Sequence, residues 1–214
     1  MSKTHPYPGK FITLEGGDGT GKSTQARMLA AFLEEHHKSV LLTREPGGAP
    51  GSDDIRQLIL TGEPDRWDVV GETLLFYASR RNHLRLTVWP ALEKGQWVIS
   101  DRFADSTMAY QGYGNQLGVD AVQKIHDVSV GDFEPDLTLI LDIDVAKGIA
   151  RTQGRTNNED RFEKMDLSVH ERMRKGFYEI ADKHKNRCVI VDADRPIEAV
   201  QADLQAIVME RLLG

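Results

Sequence analysis

The chain has 214 residues, of which 40% are hydrophobic and 28% are charged, and this composition indicates one globular domain rather than a disordered or fibrous chain. A formal net charge of -6 argues against binding to a nucleic-acid polymer, because that binding depends on an excess of Lys and Arg. No apolar run approaches the ~20 residues of a membrane helix, residues 1–10 lack the apolar stretch of a signal peptide, and the single Cys188 cannot form an internal disulfide. We therefore expect a cytoplasmic protein that contacts no membrane.

Short apolar runs alternate with segments of helical period along the chain. The predicted strands are residues 10–16, 39–45, 96–100, 137–144 and 188–194. The predicted helices are residues 23–35, 53–60, 69–93, 119–130, 145–153, 167–184 and 197–213. Because parallel strands need a crossover connection, this alternation predicts a doubly wound α/β fold, with a parallel sheet of about five strands and helices on both faces. We expect a single domain over residues 1–214, with residues 1–9 as a flexible tail.

The first predicted strand leads into a phosphate-binding loop. Residues 16–23 read GGDGTGKS and match G-x-x-x-x-G-K-[ST] between a strand and a helix, which is the context that supports this motif. Lys22 should reach the β and γ phosphates of ATP, and the Ser23 hydroxyl should bind Mg²⁺. The predicted ATP contacts in the loop are Gly16, Gly17, Asp18, Gly19, Thr20, Gly21, Lys22, Ser23 and Thr24.

A phosphate-binding loop alone is shared by GTPases, motors, kinases and regulators, so the other strand ends have to distinguish them. An N-K-x-D segment is absent from the sequence, which disfavours a GTPase. An acid, Asp101, directly follows the third predicted strand, and Asp142 lies near the end of the fourth. We prefer Asp101, which Arg102 follows, as the carboxylate on the metal side, acting through bound water, and Asp142 remains the alternative.

Two further stretches suggest a second nucleotide site. Phe76 and Arg80 are four residues apart on a predicted helix, so an aromatic ring that could stack on a nucleobase lies beside a guanidinium. Residues 101–114 bring together several polar side chains after a strand, namely Arg102, Thr107, Tyr110 and Gln111. Residues 46–54 and 153–166 are polar and rich in turn residues or charges, and we predict that both are functional loops.

Taken together, these segments resemble the thymidylate kinase family over almost the whole chain. The matching motifs, in the family's order, are the phosphate-binding loop, TREPGG (43–48), LLFYASR (74–80), VISDRFADSTMAYQ (98–111) and DRFE (160–163). The resemblance implies a P-loop nucleoside-monophosphate-kinase fold and a homodimer. It also implies Mg²⁺-dependent transfer of the γ-phosphoryl group of ATP to dTMP, which gives dTDP and ADP.

The same resemblance assigns roles to residues of the acceptor site. By it, Phe76 stacks on thymine, Arg80 hydrogen-bonds the base, and Tyr110 lies near the 2′ position of the sugar, where it disfavours a ribonucleotide. Asp18 would face the 3′-hydroxyl of the acceptor. The remaining implied contacts with dTMP are Thr107 and Gln111 at the base, Arg44, Glu45 and Pro46 in the TREPGG turn, and Arg56 and Arg102 at the phosphate.

One position departs from part of the family. Some thymidylate kinases carry an arginine directly after the acid of the phosphate-binding loop, and this chain has Gly19 there. The chain thus resembles the bacterial-like arrangement, in which an arginine of a lid, here about residues 151–166, supplies the charge. Arg155 is the first candidate, Arg151, also an implied ATP contact, is the second, and Arg161 is the third. The predicted catalytic residues are Lys22, Arg102, Arg155 and Asp18.

Two other functions remain open at this stage. A nucleoside kinase would phosphorylate a hydroxyl and would need a general base, whereas a phosphate acceptor is already mostly dianionic near neutral pH. The two candidate phosphate clamps, Arg56 and Arg102, disfavour that function. A non-enzymatic ATP-binding regulator would be expected to carry a DNA-binding or protein-binding segment, for which the predicted elements leave no room.

Overall fold

A computed structural model describes residues 5–63, 65–152, 161–162 and 165–214. The strands are β1 (Phe11–Glu15), β2 (Val40–Arg44), β3 (Trp97–Asp101), β4 (Leu137–Asp142) and β5 (Cys188–Asp192). They form one parallel sheet of five strands in the order β2-β3-β1-β4-β5. The predicted parallel sheet is confirmed, and the carboxyl ends of β1, β2 and β3 lie side by side, where the motifs follow them.

The helices follow the predicted order, with two differences. They are α1 (Lys22–Glu35), α2 (Pro50–Leu60), α3 (Val69–His83), α4 (Trp89–Glu93), α5 (Ala104–Thr107), α6 (Val119–Ser129), α7 (Val145–Thr152), α8 (Leu167–Lys183) and α9 (Ile197–Val208). Three π-helical segments continue α3, α5 and α9, at Leu84–Val88, Met108–Gly114 and Met209–Leu213. The helix predicted over 69–93 is thus α3, a π-helical segment and α4 in succession.

The first difference concerns the predicted loop over 46–54. Its second half is the first turn of α2, which begins at Pro50 because proline suits the first helical position, where an N–H would find no partner. Asp53 in this turn accepts a 3.1 Å hydrogen bond from the Gly48 amide, which ties the new helix to the remaining loop.

The second difference is that α5 and the π-helical segment after it lie in a stretch where no helix was predicted. Small and polar residues lower the helix propensity of this stretch, so its helical conformation depends on tertiary contacts. Gly176 of α8 lies against the ring of Tyr113, and a Cβ at Gly176 would be 2.7 Å from that ring. Arg172 donates a 2.9 Å hydrogen bond to the Gly114 carbonyl. Helix α8 therefore holds the segment that carries the predicted acceptor residues Thr107, Tyr110 and Gln111.

Side chains alternate between the two faces of the sheet. Ile12 and Leu14 of β1 are fully buried in a cluster with Leu29 of α1 and Leu204 of α9. Phe11 is buried in the opposite cluster, with residues of α3, α4 and α6. Both faces of β1 are covered, as expected for a parallel sheet with helices on both sides.

A buried ion pair fixes the start of α5 to the sheet. Arg187, before β5, donates two hydrogen bonds to the Asp105 carboxylate, at 2.6 and 2.9 Å, and one to Thr138 of β4 at 2.9 Å. Burial alone would raise the pKa of Asp105, but the Arg187 guanidinium holds this pKa below its ordinary value. The ion pair thereby fixes the segment after β3 to β4 and to the residue before β5.

The amino-terminal segment packs against the domain from residue 5 onward. His5 is 2% exposed, its Nε2 lies 2.8 Å from Asp136, and its ring stacks on Phe133 at 5.3 Å. Residue 5 thus contacts the domain, and the flexible tail expected over residues 1–9 stays a prediction. Within the described ranges, the structure contains no helix with the length and apolarity needed to span a membrane.

Candidate active site

The phosphate-binding loop turns between β1 and α1 with three glycines at positive φ. Gly16, Gly19 and Gly21 have φ values of 124°, 77° and 87°, which glycine adopts without a steric penalty. A Cβ at Gly19 would lie 2.1 Å from the Gly148 carbonyl oxygen. This backbone therefore excludes an arginine, or any other side chain, at the position where some family members carry one.

Lys22 lies across the loop it belongs to. Its Nζ donates to the Gly17 carbonyl at 2.6 Å and to the Thr20 hydroxyl at 3.2 Å. Burial, together with the nearby Arg102 guanidinium, lowers the pKa of Lys22 to about 8. The ammonium is held where phosphate oxygens would meet the loop amides.

We expect the affinity for ATP to fall as pH rises through about 8, because an anion binds the protonated form of Lys22 more tightly. Binding of phosphate raises the pKa of Lys22, so affinity is full below pH 8 and declines by up to about tenfold per pH unit above it. Calorimetric titration with a non-hydrolysable ATP analogue at pH 7, 8 and 9 measures this change. Lys22→Met should bind more weakly at pH 7 and lose the dependence; an equal dependence in that variant would assign the titration to another group.

Two residues that could bind a metal ion meet at the end of β3. Ser23 Oγ donates to Asp101 Oδ2 at 2.5 Å, so a hydroxyl and a carboxylate converge beside the loop. Both are oxygen donors, and a site with few protein oxygens suits Mg²⁺, which keeps waters and substrate phosphates as its other ligands. Among the described residues, no group of three or more His, Cys, Asp or Glu is arranged to hold a metal.

The alternative carboxylate, Asp142, is committed elsewhere. Its oxygens accept hydrogen bonds from Arg174 Nε and Nη2, each at 2.8 Å, and from the Tyr178 hydroxyl at 2.7 Å. The contacts favour Asp101 over Asp142 as the metal-side group.

A cavity of about 310 Å³ lies between the phosphate-binding loop and α3. Every residue predicted for the acceptor site lines it: Asp18, Arg44, Glu45, Pro46, Arg56, Phe76, Arg80, Arg102, Thr107, Tyr110 and Gln111. The loop residues that line it are Asp18, Gly19, Gly21, Lys22, Ser23 and Thr24. The other predicted loop residues, Gly16, Gly17 and Thr20, do not line the cavity. The Gly16 carbonyl accepts a hydrogen bond from Arg102, and the Gly17 carbonyl accepts one from Lys22.

Three charged or phenolic side chains meet at the centre of the cavity. Arg102 Nη2 donates to Asp18 at 2.7 Å and to the Tyr110 hydroxyl at 2.9 Å, and that hydroxyl donates to Asp18 at 3.2 Å. Although burial would raise the pKa of Asp18, Arg102 and Lys22 hold it below its ordinary value. Burial raises the pKa of Tyr110 well above its usual range, so the hydroxyl stays protonated.

Glu15, which the sequence analysis did not single out, fixes the backbone around Arg102. It is fully buried at the end of β1, where it accepts a 2.8 Å hydrogen bond from the Phe103 amide and one from the Ser106 hydroxyl. Burial raises the pKa of Glu15 above its ordinary value. Arg102 adopts a left-handed conformation with φ of 73°, which these contacts stabilise. An acid inside the apolar strand FITLE was the available signal.

Arg80 and aromatic rings form the end of the cavity at α3, where the nucleobase is predicted to bind, and we call it the base end. Arg80, 1% exposed, donates from Nε to Glu45 at 2.7 Å and from Nη2 to Thr107 at 2.9 Å. The other carboxylate oxygen of Glu45 lies 3.0 Å from His83 Nδ1. Because both oxygens are bonded to protein side chains, Glu45 positions Arg80 and does not project freely into the cavity. The rings of Phe76 and Phe162 both border the cavity, with their centroids 5.9 Å apart. The sequence analysis did not predict Phe162 as a site residue.

The remaining predicted cations have different surroundings. Arg44 is exposed at the end of β2 and pairs with none of the described residues, and Arg56 Nη1 donates to the Pro46 carbonyl at 2.7 Å. Both border the cavity on the side of the TREPGG turn. Arg151 lies elsewhere, donating to the Ala193 carbonyl at 3.2 Å and to Asp194 at 3.3 Å.

Arg161 was a candidate catalytic arginine of the lid, and the structure contradicts that role. Its side chain is 1% exposed and bonds the Glu72 carboxylate and, at 3.1 Å, the Glu63 carbonyl. A guanidinium bonded in this way is not available to a transferring phosphate. Arg155 lies outside the described residues, as do the other residues of 153–160 and 163–164 in the predicted lid.

A phosphate-binding loop and a second, arginine-rich pocket share one cleft at the carboxyl edge of a parallel sheet, and this combination defines a P-loop kinase of the nucleoside-monophosphate type. The sequence model of the family described as thymidylate kinase matches residues 14–204. The chain belongs to the thymidylate kinase family.

Individual relatives agree with this assignment. A thymidylate kinase of Ruegeria pomeroyi is 48% identical over 204 residues, which cover 95% of this chain and 96% of that protein. One of Caulobacter vibrioides is 45% identical and covers 95% and 98% of the two chains. The crystal structure of thymidylate kinase from Ehrlichia chaffeensis superposes with a TM-score of 0.78 at 34% identity, covering 94% of this chain and 98% of that one.

Proposed function

We propose that this protein transfers the γ-phosphoryl group of ATP to dTMP and releases dTDP and ADP. One observation at the base end of the cavity carries the choice of acceptor. Arg80 Nη1 and Gln111 Oε1 are buried and have no hydrogen-bond partner among the described residues. Buried polar atoms in folded proteins are nearly always paired, so these two atoms call for a ligand. Thymine matches both, because its O4 accepts from the guanidinium and its N3–H donates to the amide oxygen.

The rest of dTMP fits the charge distribution along the cavity. Tyr110 donates to Asp18 of the phosphate-binding loop at 3.2 Å, and both line the cavity in the region that we assign to the sugar. We place Tyr110 near the 2′ position and Asp18 at the 3′-hydroxyl, where its carboxylate can accept a hydrogen bond. Arg44, Arg56 and Arg102 would then bind the phosphate of dTMP.

The reaction needs no general base, because the acceptor oxygen belongs to a phosphate that is mostly dianionic at neutral pH. The protein instead has to hold two polyanions in line and offset their repulsion. Lys22 would orient the β and γ phosphates of ATP, and Arg102 would orient the attacking phosphate. Ser23 and Asp101 would hold Mg²⁺, which neutralises charge on the β and γ phosphates when bound.

We propose Arg155 as the further cation that stabilises the transferring phosphoryl group. The proposal is supported by the surroundings of the three other positions considered. Gly19 has no space for a side chain, Arg161 is buried on Glu72, and Arg151 pairs with Asp194, just after β5. We keep Arg151 as an ATP contact.

The acceptor is tested by incubating the protein with ATP, Mg²⁺ and one of five compounds: dTMP, dUMP, UMP, dGMP or thymidine. We expect ADP to form fastest with dTMP, more slowly with dUMP, and at background rates with dGMP, UMP and thymidine. Turnover of thymidine alone would favour a nucleoside kinase, and no turnover of any compound would favour a non-catalytic ATP-binding protein.

We also propose that the protein is a cytoplasmic homodimer. Helices α2 and α3 pack side by side and expose apolar residues, with Leu58, Val70 and Leu74 at 40%, 45% and 52% exposure. An exposed apolar patch of this kind suits a protein interface. Sedimentation analysis should give about twice the 24.0 kDa mass of one chain, and Leu74→Glu should shift the protein towards that single-chain mass.

A further inference from the structure

A buried carboxylate, that of Glu72, lies behind the base end of the cavity. Glu72 lies on α3 one turn before Phe76 and is 1% exposed. Its Oε1 accepts a 2.7 Å hydrogen bond from Gln111 Nε2 and a longer one, 3.4 Å, from Asn115. Its Oε2 accepts a hydrogen bond from Arg161. The carboxylate is therefore surrounded by three donors from two separate segments of the chain.

This arrangement determines which way the Gln111 amide points. A carboxylate only accepts hydrogen bonds, and a guanidinium only donates them. With Arg161 bonded to it, Glu72 can take only the NH₂ end of Gln111, so the carbonyl end must face away from Glu72. Gln111 lines the cavity, and its Oε1 has no partner among the described residues. The cavity is thereby given an acceptor at Gln111 beside the donor Nη1 of Arg80.

We propose that Glu72 is a specificity-determining positioning residue. It acts through Gln111, by fixing the amide so that the cavity selects a base with an N–H donor at ring position 3. Thymine and uracil carry that donor, whereas a pyrimidine whose N3 is unprotonated presents a lone pair to the Gln111 oxygen. The inference rests on the proposed function, since it concerns the base of the same acceptor.

The variant Glu72→Gln should reverse the amide. Arg161 can bond only the carbonyl oxygen of the introduced amide, which then turns its NH₂ towards Gln111. The side-chain carbonyl of Gln111 then accepts a hydrogen bond from that NH₂, and the NH₂ of Gln111 faces the cavity. The probe is the 5′-monophosphate of 2-pyrimidinone deoxyriboside, whose N3 accepts a hydrogen bond and whose C4 carries no amino group that could clash with Arg80.

We expect the ratio of kcat/KM for dTMP to kcat/KM for this probe to fall by about 100-fold in Glu72→Gln, since a site built for one hydrogen bond rejects the mismatched partner strongly. For dTMP the loss should appear mainly as about a 30-fold rise in KM with kcat changed less than about threefold. The kcat/KM for the probe should rise by about threefold, consistent with these values. If Glu72 served folding alone, Glu72→Gln would lower kcat/KM for dTMP and for the probe by the same factor. The ratio would then be unchanged, and that result would overturn the proposal.

Two further variants make the result interpretable. Asn115→Ala removes only the 3.4 Å contact to Glu72 and should keep the wild-type ratio within about twofold. If Glu72→Gln does not fold, the double variant Glu72→Gln, Arg161→Met removes both buried charges and leaves Gln111 free to turn. That variant should lower the ratio at least about tenfold, and an unchanged ratio would again overturn the proposal. Absence of dTMP turnover in the wild-type protein would instead reject the proposed function itself.

Discussion

Replacing Arg102 by alanine is expected to lower kcat/KM for dTMP by about 10³-fold, because Arg102 is the cation at the centre of the cleft. It connects the phosphate-binding loop with the acceptor segment, donating to the Asp18 carboxylate at 2.7 Å and to the Tyr110 hydroxyl at 2.9 Å. Without the guanidinium, two phosphate groups would approach each other beside an uncompensated Asp18. Steady-state kinetics with varied dTMP at saturating ATP measures the loss.

Two comparisons separate this effect from a general loss of structure. Arg81 is an exposed arginine on the same protein, with its guanidinium 4.8 Å from the Trp89 ring, and Arg81→Ala should retain kcat/KM within about twofold. Arg102→Lys keeps the charge but loses the planar fork, so it should recover only part of the activity. A loss smaller than about tenfold in Arg102→Ala would remove Arg102 from the catalytic group.

Replacing Arg155 by alanine is expected to lower kcat by about 10² to 10³-fold with little change in KM for dTMP. A cation that acts only on the transferring phosphoryl group stabilises the transition state and not the bound acceptor, so kcat falls while acceptor binding persists. Single-turnover measurements with preformed enzyme and both substrates isolate the chemical step from product release.

Arg151→Ala is the matched control, since Arg151 belongs to the same predicted lid but bonds Ala193 and Asp194. We expect a several-fold rise in KM for ATP and nearly unchanged kcat in this variant. The opposite pattern, with kcat retained in Arg155→Ala and lost in Arg151→Ala, would transfer the catalytic role to Arg151. Arg161 is not part of this comparison because its guanidinium is buried on Glu72.

The parts of the site that could be predicted are those carried by continuous segments. The phosphate-binding loop needs eight consecutive residues between a strand and a helix, so its sequence alone determines its conformation and its ligand. The segments after β2 and β3 could be placed as well, because neighbouring parallel strands bring their carboxyl ends to one edge of the sheet. The predicted acceptor residues of these two segments line the same cavity for this reason.

The parts that could not be predicted depend on contacts between distant segments. Residues 104–114 are helical only against α8, and their own propensity does not indicate it. Arg161 looks like a solvated lid arginine in a charged run, yet its side chain is buried on Glu72, 89 residues earlier in the chain. Glu15 stabilises the left-handed backbone conformation of Arg102, although the rest of its strand has the composition of a buried core strand.

The sequence by itself determined the class of reaction, because the phosphate-binding loop and the acceptor motifs are short, contiguous and chemically specific. It also determined the absence of a side chain at Gly19, whose reason is the Gly148 carbonyl 2.1 Å from a possible Cβ. Only the tertiary structure decided which cations are available and how the polar groups are oriented. Burial forces each charge and amide to find partners, and those partners come from residues that are remote in sequence and adjacent only in the fold.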